Sequence, residues 1–270
     1  MALLAALATG ACAASSADPS ASTAPRSEDA PQQAMAASPA ERLLEASEIS
    51  NVIDQRGRVF TRQVAMLASD LSDEELERLV LAVQAGFAPE LLRRDVAEFM
   101  VAEAPEGRLE EVLEWMEGGG SAEARRILAG YEPPLSLQDW LTEYTDEPPT
   151  PERVRLVARW TEARGTGEFF VLLDEALAEA AFAVRGVMRP GSPEFEPMRG
   201  SELRGRLERS FNASVLTALH SSETVPDDVV RSSTAELESE AGRWYVVTWQ
   251  LAVAEAVRSA GRRVVATLGG

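Results

Sequence analysis

Apolar side chains recur at spacings of three and four residues through almost the whole chain after residue 37. That period places them along one face of a helix, and no segment shows the strict alternation of a half-buried strand. The pattern therefore predicts an all-α protein, a helical bundle. The predicted helices run over 38–69 and 72–86, from Pro89 past Met100, from Gly107 past Met116, from Ser121 onward, from Ser136 past Leu141, and over 150–163, 169–188, 199–220, 226–239 and 241–264.

Capping signals mark several of the predicted helix starts. Ser38 with Glu41 and Ser72 with Glu75 have the spacing of capping boxes, in which the serine and the glutamate each bond to the other's backbone N–H. Ser121 follows three consecutive glycines and is expected to cap the helix after them. We expect the apolar segment 169–188 to be the central helix of the bundle.

Prolines and glycines divide the helical part into two predicted units. Prolines are dense between residues 131 and 151, which places a boundary between a first unit over 38–145 and a second over 150–268. Within the second unit, Gly165 and Gly167 are expected to break the chain between two helices.

The two units carry a weak internal repeat. The stretches that start at Phe87 and at Phe211 each run from an aromatic residue through a helix, an acidic turn and a second helix to a glycine and a third helix. Phe87 lies 33 positions before Gly120, and Phe211 lies 31 before Gly242. We interpret the stretches as two loosely related helical units; the alternative is that any helical chain aligns with itself this well.

The end of the second stretch supports kinship with a known group. Ser239, Gly242 and Arg243 match the skeleton of a Phe-Tyr-x-Ser-Pro-x-Gly-Arg/Lys motif. The chain thus resembles an uncharacterised family of secreted, helical bacterial envelope proteins with a domain of unknown function. The aromatic and proline positions of the motif are not kept, and the family supplies no catalytic residues.

Physically, such a motif is a corner between two helices. A glycine lets the chain turn or lets another backbone approach, and a serine caps the outgoing helix. The alternative is a ligand site at the exposed helix N-termini. The residues assigned to the two corners are Trp115, Gly118, Gly119, Gly120, Ser239, Gly242 and Arg243.

The N-terminus has the composition of an export signal followed by a tether. The apolar run of residues 2–8 is too short to span a bilayer, but it suits a secretory signal. We interpret residues 1–12 as a lipoprotein-type signal that ends at Cys12, the lipidated residue, and 13–37 as a disordered Ser/Ala/Pro-rich tether. The alternative is ordinary cleavage at Ala11-Cys12-Ala13 and release into the periplasm. Either interpretation exports the protein.

Charge and composition narrow the function further. The net charge of −18 argues against nucleic acid as a partner, because such proteins carry basic surfaces. Every basic residue is arginine, which we attribute to a GC-rich genome rather than to anion binding. A single cysteine and a single histidine leave no zinc cluster of these ligands and no intrachain disulfide.

Each remaining polar motif has a structural interpretation that we prefer. His220 lies near a predicted helix end, where it suits the helix dipole better than catalysis. Asn212 lies in a glycosylation sequon that is expected to pack or cap. Asp227-Asp228 suits a first helical turn, and the glutamates from 110 to 117 suit a solvated face rather than a calcium site.

We therefore expect no catalytic residues, no metal and no cofactor. The sequence favours an exported, lipid-tethered, non-catalytic envelope protein that binds another protein, a peptide or an apolar ligand, with the membrane reached through the lipid on Cys12. The alternative is an envelope hydrolase that uses paired carboxylates. Buried carboxylates converging in a cleft would favour the enzyme.

Overall fold

Helix follows helix through the part of the chain that the computed structural model describes, which is residues 38–47, 60, 71–146 and 148–270. Those ranges contain no strand, so the predicted all-α class is confirmed. The helices are α1 (Pro39–Ala46), α2 (Asp73–Gly86), α3 (Pro89–Glu103), α4 (Arg108–Gly118), α5 (Gly120–Ala129), α6 (Leu137–Asp146), α7 (Pro151–Ala163), α8 (Thr166–Met188), α9 (Gly200–Ser221), α10 (Asp227–Leu237) and α11 (Glu240–Gly269).

Both predicted capping boxes are present. The backbone N–H of Glu41 donates to Ser38 Oγ at 3.3 Å, and that of Ser38 donates to the Glu41 carboxylate at 2.7 Å. Ser72 and Glu75 make the same pair of bonds at 3.3 and 2.8 Å. Glu75 also accepts two bonds from Arg189, at 2.8 and 3.1 Å, which join the start of α2 to the end of α8. These hydrogen bonds, with that to Arg189 the strongest influence, lower the pKa of Glu75 to about 2.

The first helix is shorter than predicted. Ser47 has extended backbone angles, φ −107° and ψ 164°, so α1 ends at Ala46 and the prediction of one continuous helix over 38–69 is wrong. Of the rest of that predicted helix, the described residues include only Phe60, which is helical and buried, with its ring stacked 4.1 Å from that of Phe87.

The break between α7 and α8 falls at Gly165 alone. Gly165 caps α8 with a positive φ of 58°, a conformation that favours glycine. Gly167 lies inside α8, so the predicted break there is wrong. Glycine at this position lets α9 pack closely against α8, because a Cβ at Gly167 would lie only 3.0 Å from the Phe211 Cα.

Helices α8 and α11 form the most extensive helix pair and the centre of the bundle, as predicted for 169–188. They approach closely where Gly261 faces Ala180, because a Cβ on Gly261 would lie 2.6 Å from that of Ala180. Arg263 joins α11 to α2 and α3 through bonds to the Gly86 carbonyl, at 3.1 Å, and to the Asp95 carboxylate, at 2.6 Å.

Buried apolar side chains from both predicted units pack into one cluster, whose first and last members along the chain are Ala40 and Leu268. A second, small cluster lies where α7 meets α9. The division at 145–150 and the internal repeat stay predictions. No helix in the described ranges has both the length and the apolar character needed to cross a bilayer.

Candidate functional site

The three glycines form a corner between α4 and α5. Gly118 is the last residue of α4, Gly119 is the linking residue, and Gly120 begins α5. A Cβ on Gly118 would meet no atom within 4 Å, whereas one on Gly120 would lie 2.5 Å from Ser232 Oγ. A Cβ on Gly119 would lie 2.9 Å from the Trp115 carbonyl oxygen. Of the three glycines, the second and third are therefore required by close packing.

Glu236 of α10 caps this corner from the other half of the chain. Its carboxylate accepts hydrogen bonds from the backbone N–H groups of Gly120, at 2.5 Å, and Ser121, at 2.8 Å. A carboxylate there satisfies two unpaired helix donors and complements the helix dipole. The predicted cap by Ser121 is wrong, because the N-cap residue is Gly119 and no side chain of its own turn caps α5. The Ser121 hydroxyl instead lies 3.0 Å from that of Ser233.

The second corner lies between α10 and α11 and follows the predicted scheme. Ser239 caps α11 by accepting from the Gly242 N–H at 3.0 Å, and its hydroxyl donates to the Glu236 carbonyl at 2.6 Å. A Cβ on Gly242 would lie 2.6 Å from the Leu237 Cα, so glycine permits this close approach. Arg243 is exposed on the first turn of α11.

The two corners contact each other. The ring of Trp115 meets that of Tyr245 edge to face at 5.7 Å, and Arg108 pairs with Glu240 at 2.6 Å. Gly120 is the first residue of its helix, whereas Gly242 is the third of its own. Glu236 serves both corners, one with its carboxylate and one with its carbonyl. These contacts are those of a structural joint.

Sequence reasoning missed Glu236. A helix whose N-cap is glycine has no capping side chain of its own, so its free N–H groups need an acceptor from another part of the chain. This rule could have predicted that a distant residue caps α5. It could not have selected one carboxylate from the 44 acidic residues of the chain.

A cleft of about 880 Å³ opens at a separate place, between α6, the start of α7 and the turn from α9 to α10. The proline-rich segment that the sequence marked as a boundary contributes Pro134 and Pro149 to the lining of the cleft. Its lining mixes prolines, aromatic rings and carboxylates. The prolines and aliphatic residues in the lining are Pro134, Leu135, Pro149, Leu219, Val225 and Pro226.

One wall of the cleft is aromatic. Trp140 and Tyr144 lie one turn apart on α6, with ring centroids 4.9 Å apart, and the His220 ring lies 5.4 Å from that of Trp140. Helix α6 has no buried residue, so these rings stay half exposed. They pack on one side against the small cluster of Val157, Val215 and Leu219.

His220 has a role beyond its position at a helix end. It lies in the last turn of α9, as predicted, and its Nε2 lies 2.9 Å from the Leu135 carbonyl. Because a carbonyl only accepts, Nε2 carries the proton in this bond. The bond ties the segment before α6 to α9. Its interaction with the helix dipole stays a prediction.

The charges of the cleft are mostly negative. Among the described residues, its only guanidinium is that of Arg153, which donates to the Asp227 carboxylate at 2.7 Å and to the Ser222 carbonyl at 2.5 Å. The Arg153 side chain is only 16% exposed. The carboxylates in the lining are those of Glu143, Asp146, Glu223 and Asp227.

Glu223 is held as an acceptor. The Tyr131 hydroxyl donates to its carboxylate at 3.0 Å. Burial and then this bond raise the pKa of the Tyr131 phenol above its usual value, because both disfavour the phenolate. For Glu143 and Asp146, the described part of the chain offers no ion-pair partner.

The remaining predicted motifs lie outside the cleft, except Asp227. Asn212 is exposed in the middle of α9, so the expectation that it packs or caps is wrong, whereas Asp227-Asp228 begins α10 as predicted. Of the glutamates on α4, Glu117 pairs with Arg42 at 2.5 Å. The described residues include no group of three or more acidic, histidine or cysteine side chains placed to hold a metal ion. Cys12 and the segment 13–37 lie outside the described residues.

Comparison of the chain with known protein families, curated proteins and solved structures finds no match. The resemblance to the envelope family therefore stays a prediction.

Proposed function

We propose that the protein is an exported, lipid-tethered envelope protein that binds a peptide or protein segment in the cleft beside α6. The supporting observation is the combination in one cleft of half-exposed aromatic rings, prolines and carboxylates with no ion-pair partner among the described residues. Rings left partly exposed are typical of binding sites, where they supply contact area at low entropic cost.

The alternative of a carboxylate hydrolase has less support. A carboxyl group acts efficiently as a general acid at neutral pH when its pKa is raised, usually by burial. No acidic residue in the described ranges is buried, and the buried polar residues are Thr161, Ser214, Ser222, Ser233, Thr234, Thr248 and Gln250.

Site-specific photocrosslinking in cells tests the binding role. The full chain would carry p-benzoylphenylalanine in place of Thr224, which is exposed and lines the cleft, or in place of Ala183, which is exposed on α8. We expect a discrete adduct from position 224 and none from 183. No adduct from position 224, or the same adduct from both positions, would contradict a binding role for this cleft.

Fatty-acid labelling tests the tether separately. Wild-type protein expressed with its own N-terminus should incorporate the label, and the Cys12→Ser variant should not. If the wild type stays unlabelled while it is exported, the protein is free in the periplasm and the tether is wrong.

A further inference from the structure

We infer that the cleft selects a cationic side chain, an arginine or a lysine of an extended peptide segment, which lies against the Trp140 and Tyr144 rings and pairs with Glu143 and Asp146. This inference rests on the proposed binding function and specifies its ligand.

The first argument is charge. Four carboxylates line the cleft against the single guanidinium of Arg153 in the described lining, and that guanidinium is already engaged by Asp227 and the Ser222 carbonyl. An anionic ligand would therefore face carboxylates without a free cation to bind it. A cationic ligand would gain favourable Coulomb energy on entering.

The second argument is the aromatic wall, which is independent of the charge. The faces of tryptophan and tyrosine rings carry negative electrostatic potential and attract ammonium and guanidinium groups. The described part of the chain already contains this interaction, since the Arg164 guanidinium carbon lies 4.9 Å from the Trp160 ring centroid. Trp140 and Tyr144 offer the same chemistry in an open cleft, beside carboxylates.

The third argument concerns the form of the ligand. A volume of about 880 Å³ is larger than one side chain requires, and prolines 134, 149 and 226 line it. Sites for drug-sized molecules occupy about 300–1,000 Å³, so several residues of an extended peptide fit this space. A cation carried on a peptide would use the charged and the apolar parts of the lining together.

Fluorescence anisotropy with the full chain tests the inference. One labelled peptide carries two arginines, and a second carries glutamines in their place. We expect the arginine peptide to bind at least about tenfold more tightly than the glutamine peptide, from cation–π and ion-pair contributions together. Equal binding of the two peptides would overturn the inference.

Variants locate the effect. Glu143→Gln with Asp146→Asn removes two exposed cleft charges, and Glu110→Gln with Glu114→Gln removes two exposed charges from α4. The cleft double variant should lose most of the preference for arginine, and the α4 double variant should bind within about twofold of wild type. If both double variants lose the preference for arginine equally, peptide binding depends only on the overall charge of −18, and a site in the cleft is refuted.

The aromatic contribution has its own variant, Trp140→Leu, which keeps an apolar side chain but removes the ring face. It should weaken arginine binding while leaving glutamine binding unchanged. Far-ultraviolet circular dichroism verifies that the variant folds. If Trp140→Leu does not fold, the two charge variants alone test whether the cleft binds the arginine peptide. Unchanged arginine binding by folded Trp140→Leu would refute the aromatic part.

Three further outcomes separate the proposals. Unlabelled spermidine is tested as a competitor of the labelled arginine peptide. If it competes as strongly as the unlabelled peptide does, the proposal of a peptide ligand is overturned in favour of a small polyamine. A crosslink from position 224 together with equal binding of both peptides would refute the cationic ligand and leave the binding function intact. Absence of both the crosslink and the peptide binding would refute both.

Discussion

The three glycines of the first corner should respond differently to the same added methyl group. In Gly120→Ala, the new Cβ would lie 2.6 Å from Ser232 Cβ and 2.7 Å from the Ser233 backbone nitrogen, whereas ordinary contacts begin at 3.4 Å. Helices α5 and α10 would have to separate by several tenths of an ångström, because a backbone atom cannot rotate away. Overpacking of this kind costs about 1–3 kcal/mol.

The same separation would lengthen the bonds that Glu236 accepts at 2.5 and 2.8 Å. For a domain of 150–250 residues, each kcal/mol lowers Tm by about 2–4 °C. We therefore expect Gly120→Ala to lower Tm by at least about 2 °C and to lower the urea midpoint.

Gly118→Ala is the matched control. Its Cβ would meet no atom within 4 Å, and Gly118 ends a helix without a positive φ. Alanine there should be neutral or should stabilise by up to about 1 kcal/mol. Urea unfolding followed by far-ultraviolet circular dichroism compares the two variants. If Gly120→Ala is as stable as Gly118→Ala, the close approach of α10 to this corner is wrong.

Three further outcomes follow from the same structure. Glu236→Ala should lower the free energy of unfolding by about 1–2 kcal/mol in urea titrations, because it leaves two helix N–H groups without their carboxylate; a loss no larger than that of Glu110→Ala on the exposed face of α4 would contradict the cap. Glu75 has a pKa lowered from 4.5 to about 2 in the folded state, so its contribution is present above about pH 5 and is lost as the pH falls toward 2. The stability difference between wild type and Glu75→Gln should therefore narrow over that acidic range, and a difference independent of pH would refute the coupling to Arg189. In hydrogen exchange, the amides of α6, which has no buried residue, should exchange faster than those of α10, which is held through Asp227 and Glu236, and should gain protection when the arginine peptide binds; equal exchange of the two helices would contradict this difference.

The local features of the fold could be predicted from sequence, and the distant ones could not. Ser38, Ser72 and Ser239 cap their helices as their sequence patterns indicate, because each accepts from an N–H three residues away. Ser121 has an equally suitable local sequence, but the residue that caps its helix is Glu236, which lies 115 positions further along the chain. Gly167 resembles a helix breaker until the backbone of Phe211 is seen to pack on it.

The cleft lay beyond sequence reasoning for the same reason. The sequence predicts Trp140 on a short helix and His220 near a helix end, and both predictions are confirmed. Their meeting depends on the contact of two segments about 80 residues apart, for which the spacing of apolar residues carries no signal. The proline-rich segment marked the region only as a boundary, although it lines the cleft.

The two walls of the cleft differ in how firmly they are held, and α10 explains why. At its start, Asp227 pairs with Arg153; near its end, Ser233 accepts from the buried Trp160 indole at 3.0 Å, and Glu236 caps α5. These contacts fix a helix about 16 Å long at both ends. By contrast, α6 has no buried residue, and its aromatic rings rest on a small cluster at one side. A ligand entering the cleft would thus meet a firmly held wall at α10 and, on α6, the rings of Trp140 and Tyr144 together with the carboxylates of Glu143 and Asp146. A cation bound to the side chains of α6 would therefore leave undisturbed the joint at Glu236, which connects the two halves of the chain.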